Sequence, residues 1–208
     1  MAARATRTLC LTLLLAAACV GVAAGGSEDR GEVRAAIRCG GWRQKVKTLQ
    51  DRRARLVRST PVATNVRALR RKRAPRHLGS RTARRRGVER RTYTLKARLV
   101  AARRERDHDI HLVIAGTARP RVTMIVEFPD VRCARRASQA NRNAMGAARF
   151  NLLQSCGPIG RKKFKRLKGT ATITGVGFFD FIHGQRGVAP NGIELHPVLG
   201  FQASGCAP

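Results

Sequence analysis

The chain has 208 residues and carries 43 Lys and Arg against 12 Asp and Glu, a formal net charge of +31 at pH 7. That excess favours polyanionic partners such as nucleic acid, anionic lipid or acidic envelope polymers. With one Trp, one Tyr and seven Phe, exposed stacking surface is scarce, which argues against base-by-base reading of single strands.

Residues 1–24 read as an export leader. Arg4 and Arg7 form the positive start, Leu9 to Val20 the short apolar stretch, and Val22-Ala23-Ala24 the small-residue cleavage signal. Acylation at Cys19 is the less favoured variant, because Ala16 stands where that motif prefers leucine. The mature chain would begin near Gly25, and no later stretch is apolar enough for a membrane helix. Residues 25–91 form a basic, partly ordered arm. Within it, residues 67–91 hold twelve Arg or Lys and one acid, Glu89, too little apolar surface to fold alone. Trp42, Val46, Leu49, Leu56, Val57, Val62, Val66 and Leu69 suit a short helix and an extended piece laid against a barrel. A second basic cluster spans residues 161–168. Arginine also abounds with alanine across the chain, as GC-rich coding produces, so the arm is functional or merely compositional.

Residues 92–208 read as the folded domain. Tyr93, Leu95, Ala97 and Leu99 alternate with Thr94, Lys96 and Arg98, the period-2 signature of a half-buried strand. Ile110, Leu112 and Ile114 repeat the pattern, and so do Val122, Met124, Val126 and Phe128 before Pro129 ends the run. Residues 134–154 place Met145, Ala148, Leu152 and Leu153 at helical spacing, and Gly157-Pro158 stops the helix. Residues 170–181 form a fourth strand with a bend at Gly175 and Gly177, and residues 193–201 a fifth, with Ile193, Leu195 and Leu199 inward. Three strands, a helix and two strands is the order of a five-stranded OB-like Greek-key barrel. In that topology Asp109, His111, Glu127, Glu194 and His196 point outward on neighbouring strands, overhung by the loop holding His183, Gln185 and Arg186. These histidines, Gln185, Arg186 and Glu194 are the candidate ligand-binding residues.

Cys39, Cys133, Cys156 and Cys206 remain after leader removal, which in an oxidising compartment implies two disulfides. Three pairings are open. One joins Cys133 to Cys156 and leaves Cys39 for Cys206. Zinc binding by these thiols is disfavoured, because no pair has the spacing of a zinc module. Asp107, His108, Asp109 and His111 crowd one turn, as hard-metal ligands or acid/base groups, or as a polar turn offsetting Arg103, Arg104 and Arg106. No nucleophile elbow, P-loop, dinucleotide fingerprint or His-Glu-x-x-His motif occurs.

The segments TMIVEFPD and GVGFFDFIHGQRGVAPNGIELHPVLGF resemble an uncharacterised family of secreted bacterial proteins, a likeness that carries no activity. The Tyr93–Asp130 stretch also resembles staphylococcal-nuclease-like barrels, through its Asp-x-Asp turn and the sequence Glu127-Phe128-Pro129-Asp130. That resemblance implies a calcium site at Asp107, Asp109 and Glu127, and catalytic roles for Asp109, Glu127 and Asp130 in phosphodiester hydrolysis. The family's later arginine clamp has no equivalent here. The leading expectation is therefore a secreted, non-enzymatic OB-like module that binds polyanions. The alternative is a metal-dependent phosphodiesterase.

Overall fold

The computed structural model describes residues 39–206; the expected leader with Cys19 lies outside the described residues. In chain order the elements are α1 (Gln44–Lys47), β1 (Arg58–Ala63), α2 (Val66–Arg70), β2 (Arg91–Arg104), β3 (Ile110–Gly116), β4 (Thr123–Phe128), α3 (Gln139–Cys156), β5 (Lys165–Arg166), β6 (Thr170–Phe179) and β7 (Ile193–Ser204). No helix among the described residues is long and apolar enough to cross a membrane.

Five strands close into a barrel. β2 is long enough to pair twice, through Thr92–Arg98 with β6 and through Ala97–Arg104 with β3. The ring then runs β3 to β4, β4 to β7 in parallel, and β7 back to β6. With α3 between the third and fourth barrel strands, this is the OB order that the strand alternation predicts. Leu95, Leu99, Ile110, Leu112, Ile114, Met124, Val126 and Phe128 fill the interior, and Ala148, Leu152 and Cys156 of α3 pack against them. The helix starts where the Ser138 side chain accepts from the Asn141 N–H, and ends at Gly157, whose φ of 69° suits glycine.

The fifth barrel strand departs from simple alternation. Register shifts on either side of Gly175 send Val198 and Phe201 into the core, while Leu199 packs outside it against Ala134, Ala137 and Met145. Leu199 was expected inward; bulged residues break the period-2 count. Gly175 permits the bulge, since a Cβ there would lie 2.9 Å from the Pro197 carbonyl oxygen.

The disulfides join Cys39 to Cys133 and Cys156 to Cys206. The pairing of Cys133 with Cys156 is not the one formed. Cys39 is carried to the turn after β4, and the end of α3 is tied to the tail of β7. Two such bonds fit an oxidising environment.

Residues 39–91 lie on the barrel rather than beside it. β1 adds a parallel strand to β2, and α2 buries Val66 and Leu69. Trp42 meets Phe178 edge-on at 6.2 Å. Arginines that composition counts as free charge act as staples here. Arg43 donates to Glu89 from two nitrogens, each at 2.6 Å, and Glu89 also accepts from the Phe179 N–H. Arg84 is fully buried; it donates to the Val46 and Glu89 carbonyls and pairs with Asp51 at 2.9 Å. A guanidinium can be buried only when its donors are matched in this way, and composition alone does not reveal the match.

Replacing Glu89 by alanine leaves Arg43 buried and unpaired, and is expected to lower the unfolding free energy by roughly 3–5 kcal/mol. The exposed Arg71→Ala change is expected to cost less than about 0.5 kcal/mol. Urea unfolding of the two variants checks this; equal losses would contradict the stapling.

Candidate functional site

Two periodicities bring the site together. On β3 and β4, His111 and Glu127 are directly opposite, and on β7 Glu194 and His196 alternate onto the same outer face. Asp109 enters from the turn before β3. His196 places Nδ1 3.1 Å from Glu127 and 3.9 Å from Glu194, with Nε2 3.3 Å from Asp109. His111 Nδ1 is 3.3 Å from the other Glu127 oxygen, and its Nε2 is 2.9 Å from the Arg186 carbonyl oxygen.

The expectation that these side chains face outward needs correcting. They lie on the barrel's outer face, but that face is covered: Asp109 and His196 are 0% exposed and Glu127 only 7%. The cover is the 39–49 segment, which lays Lys47 over Phe178 and brings its ammonium 3.7 Å from Asp180 and 4.0 Å from Glu127. The β6–β7 loop closes the other side. Gly187, at φ 83°, seats that loop on β3, where a Cβ would come within 2.4 Å of Val113.

Burial and crowding set the charges. Burial lifts the Glu194 carboxyl to about 7, opposed by its contact with His196 and reinforced by Glu127 and Asp180. Burial also lifts Asp107 to about 6, with Asp109 and Glu127 adding repulsion, and raises Asp180 against the pull of Lys47. For His196 burial works downward, but Glu127, Asp109 and Glu194 raise it to about 9. Glu127 sits well below the usual carboxylate range: burial opposes its charge, and Lys47, His196 and His111 outweigh burial.

Beside this cluster opens a cleft of about 700 Å³, lined by Arg103, Glu105, Arg106 and Asp107, by Phe164, by His183 to Arg186, and by the buried Lys47, His111, Glu127 and Asp180. It lies between the β2–β3 turn and the β6–β7 loop, where OB barrels seat their ligands. Two guanidiniums approach the Phe164 ring, Arg103 at 4.6 Å and Arg186 at 5.1 Å. The expected ligand-binding residues His111, His183, Gln185 and Arg186 all line the cleft, whereas Glu194 and His196 lie beneath it. Gln185 also orders its own loop, donating to the Phe181 carbonyl and accepting from the His183 N–H.

The nuclease-like residues separate. Asp109 and Glu127 converge, but the Asp130 side chain is engaged by Arg132 at 2.6 and 2.9 Å, and only its backbone N–H reaches Asp109. The donors that approach within 4.8 Å of one another are Asp109, Glu127 and His196, not Asp107, Asp109 and Glu127. Calcium takes six to eight oxygen ligands, so a set containing an imidazole nitrogen suits it poorly. Lys47 and Asp180 are members that sequence reading did not supply. Lys47 carries no periodic signal, and Asp180 stands as a single acid between Phe179 and Phe181.

A second concavity, of about 590 Å³, is lined by Lys72, Arg73, Ala74, Pro75, Arg76, His77, Arg85, Arg86, Gly87, Val88 and Phe179. Five of those side chains are cationic and none is acidic. Comparison with family models, with curated proteins and with solved structures found no match to this chain.

In chelator-treated protein, unfolding free energy is expected to fall as pH rises from 5 to 9. His196 contributes stability that is complete below its unfolded value of 6.5 and is lost as pH climbs through about 9. Glu194 adds to the fall between 4.5 and about 7, because its buried carboxyl ionises later than in the unfolded chain. Thermal melts across that range check the profile, and a curve flat from pH 6 to 9 would contradict it.

Proposed function

We propose that the protein is a secreted, non-enzymatic OB-type module that binds polyanions, nucleic acid or an acidic envelope polymer. The acid-free concavity of Lys72, Arg73, Arg76, Arg85 and Arg86 carries this reading. A ligand's anionic groups meet fixed cations there with no carboxylate to repel them, and each neutralised charge releases a condensed counterion. Arg84 supports the reading indirectly. Stapled to Val46, Asp51 and Glu89, it holds the neighbouring Arg85 and Arg86 on a folded frame instead of a loose tail. The larger cleft places Arg106 and Arg186 beside Glu105 and Asp107, a mixed lining on the face where OB barrels take oligonucleotides and oligosaccharides.

The phosphodiesterase reading draws on the convergence of Asp109 and Glu127. It is the weaker of the two, because Asp130 is held by Arg132 and Asp109 is fully buried.

Retention on DNA, RNA and an acidic polysaccharide, measured against salt, tests the proposal. The Arg73→Ala, Arg76→Ala, Arg86→Ala triple variant is expected to lower the slope of log affinity against log salt by roughly 2–3 units, with folding unchanged. An unchanged slope, or metal-dependent cleavage of the nucleic acid, would overturn the binding-only reading. The relative affinities for nucleic acid and polysaccharide distinguish the two ligand sources.

A further inference from the structure

Among the described buried side chains, His196 stands out for what it lacks. Neither ring nitrogen has a hydrogen-bond partner, and neither does Asp109 Oδ2 or Glu194 Oε2, although all four atoms are sealed from solvent. The approaches of 3.1 and 3.3 Å to Glu127 and Asp109 are short but misaligned for hydrogen bonding. Buried polar atoms are nearly always satisfied, so a group of orphans turned toward one another is a place where an ion can bind.

We propose that Asp109, Glu127 and His196 form a binding site for a divalent first-row transition metal, with zinc the favoured occupant. One donor atom from each residue lies within 4.8 Å of the other two, close enough for a single ion to touch all three. An imidazole with two carboxylates is a nitrogen–oxygen donor set that suits zinc, and three protein ligands leave it a further coordination position. This set differs in membership and in metal class from the oxygen-only calcium set of the nuclease-like resemblance.

Charge points the same way. Asp107, Asp109, Glu127, Asp180 and Glu194 are five carboxylates in or beside the cluster; the groups that can face them with positive charge are Lys47, His111 and His196, with Arg149 on the Asp109 side. A divalent ion reduces that excess even after His196 gives up its proton to ligate. Access comes through Glu127, which lines the cleft while Asp109 and His196 lie behind it. Lys47, 4.0 Å from Glu127, competes with the metal for the same carboxylate.

The site stands independently of polyanion binding, and its test contains no polyanion. Chelator-stripped protein is titrated with zinc chloride, and separately with calcium chloride, by calorimetry in two buffers of different ionisation enthalpy. The expected result is one zinc per chain, release of about one proton at neutral pH, and calcium binding weaker by at least about 100-fold. Asp109→Asn and His196→Gln are expected to weaken zinc by more than roughly 100-fold with the far-ultraviolet circular dichroism unchanged. Lys47→Met, which removes the competing cation, is expected to tighten zinc by roughly tenfold. Should His196→Gln fail to fold, the Asp109→Asn and Lys47→Met pair decides, because misfolding would not tighten binding. No zinc uptake, uptake indifferent to both of those changes, or a preference for calcium would each overturn the proposal.

Discussion

The carboxylate of Glu127 is approached from three separate parts of the chain: by the His111 imidazole from β3, by the His196 ring from β7 and by the Lys47 ammonium from α1. It sits on the middle strand of the barrel's ligand face with little access to water. Its ionised form persists there only because those partners replace hydration. This makes cover and barrel mutually dependent. Without the 39–49 segment, Glu127, Asp180 and Glu194 would repel one another across one face. Without the barrel, the same segment has too few apolar residues to hold a shape. The Cys39–Cys133 bond and the Arg43–Glu89 pair fasten the two together.

The chain's arginines divide into two populations that composition cannot separate. Arg43 and Arg84 are buried, and their guanidinium donors are used on carbonyls and carboxylates. Arg73, Arg76, Arg85 and Arg86 are exposed and converge on one concavity. The first population fixes where the second stands. A basic segment anchored this way presents its charge at fixed positions, so less conformational entropy is lost when an anionic chain is bound.

How far the sequence revealed this follows from which constraints are local. Alternation in residues 93–128 gave the first three barrel strands and their inward faces, because period 2 is fixed by backbone geometry. The OB order places Glu127 beside Glu194 and His196, so the acid–imidazole grouping is legible in the sequence. Its burial is not. The covering helix is four residues long and has no periodicity, and Lys47 is one lysine among many. Leu199 was misplaced because bulges around Gly175 reset the alternation. The cysteine pairing depends on where Cys39 is carried by a segment whose path is set by tertiary contacts. Asp130 followed a short motif whose side chain turned instead to Arg132, two residues on.

Nitrogen-detected NMR of the His196 ring, followed against pH in metal-free protein, tests the charged cluster most directly. With the ionised Glu127 carboxylate beside it, the ring is expected to remain a doubly protonated imidazolium through neutral pH and to titrate near 9. A ring already neutral at pH 7, titrating at or below the ordinary value of 6.5, would contradict the account.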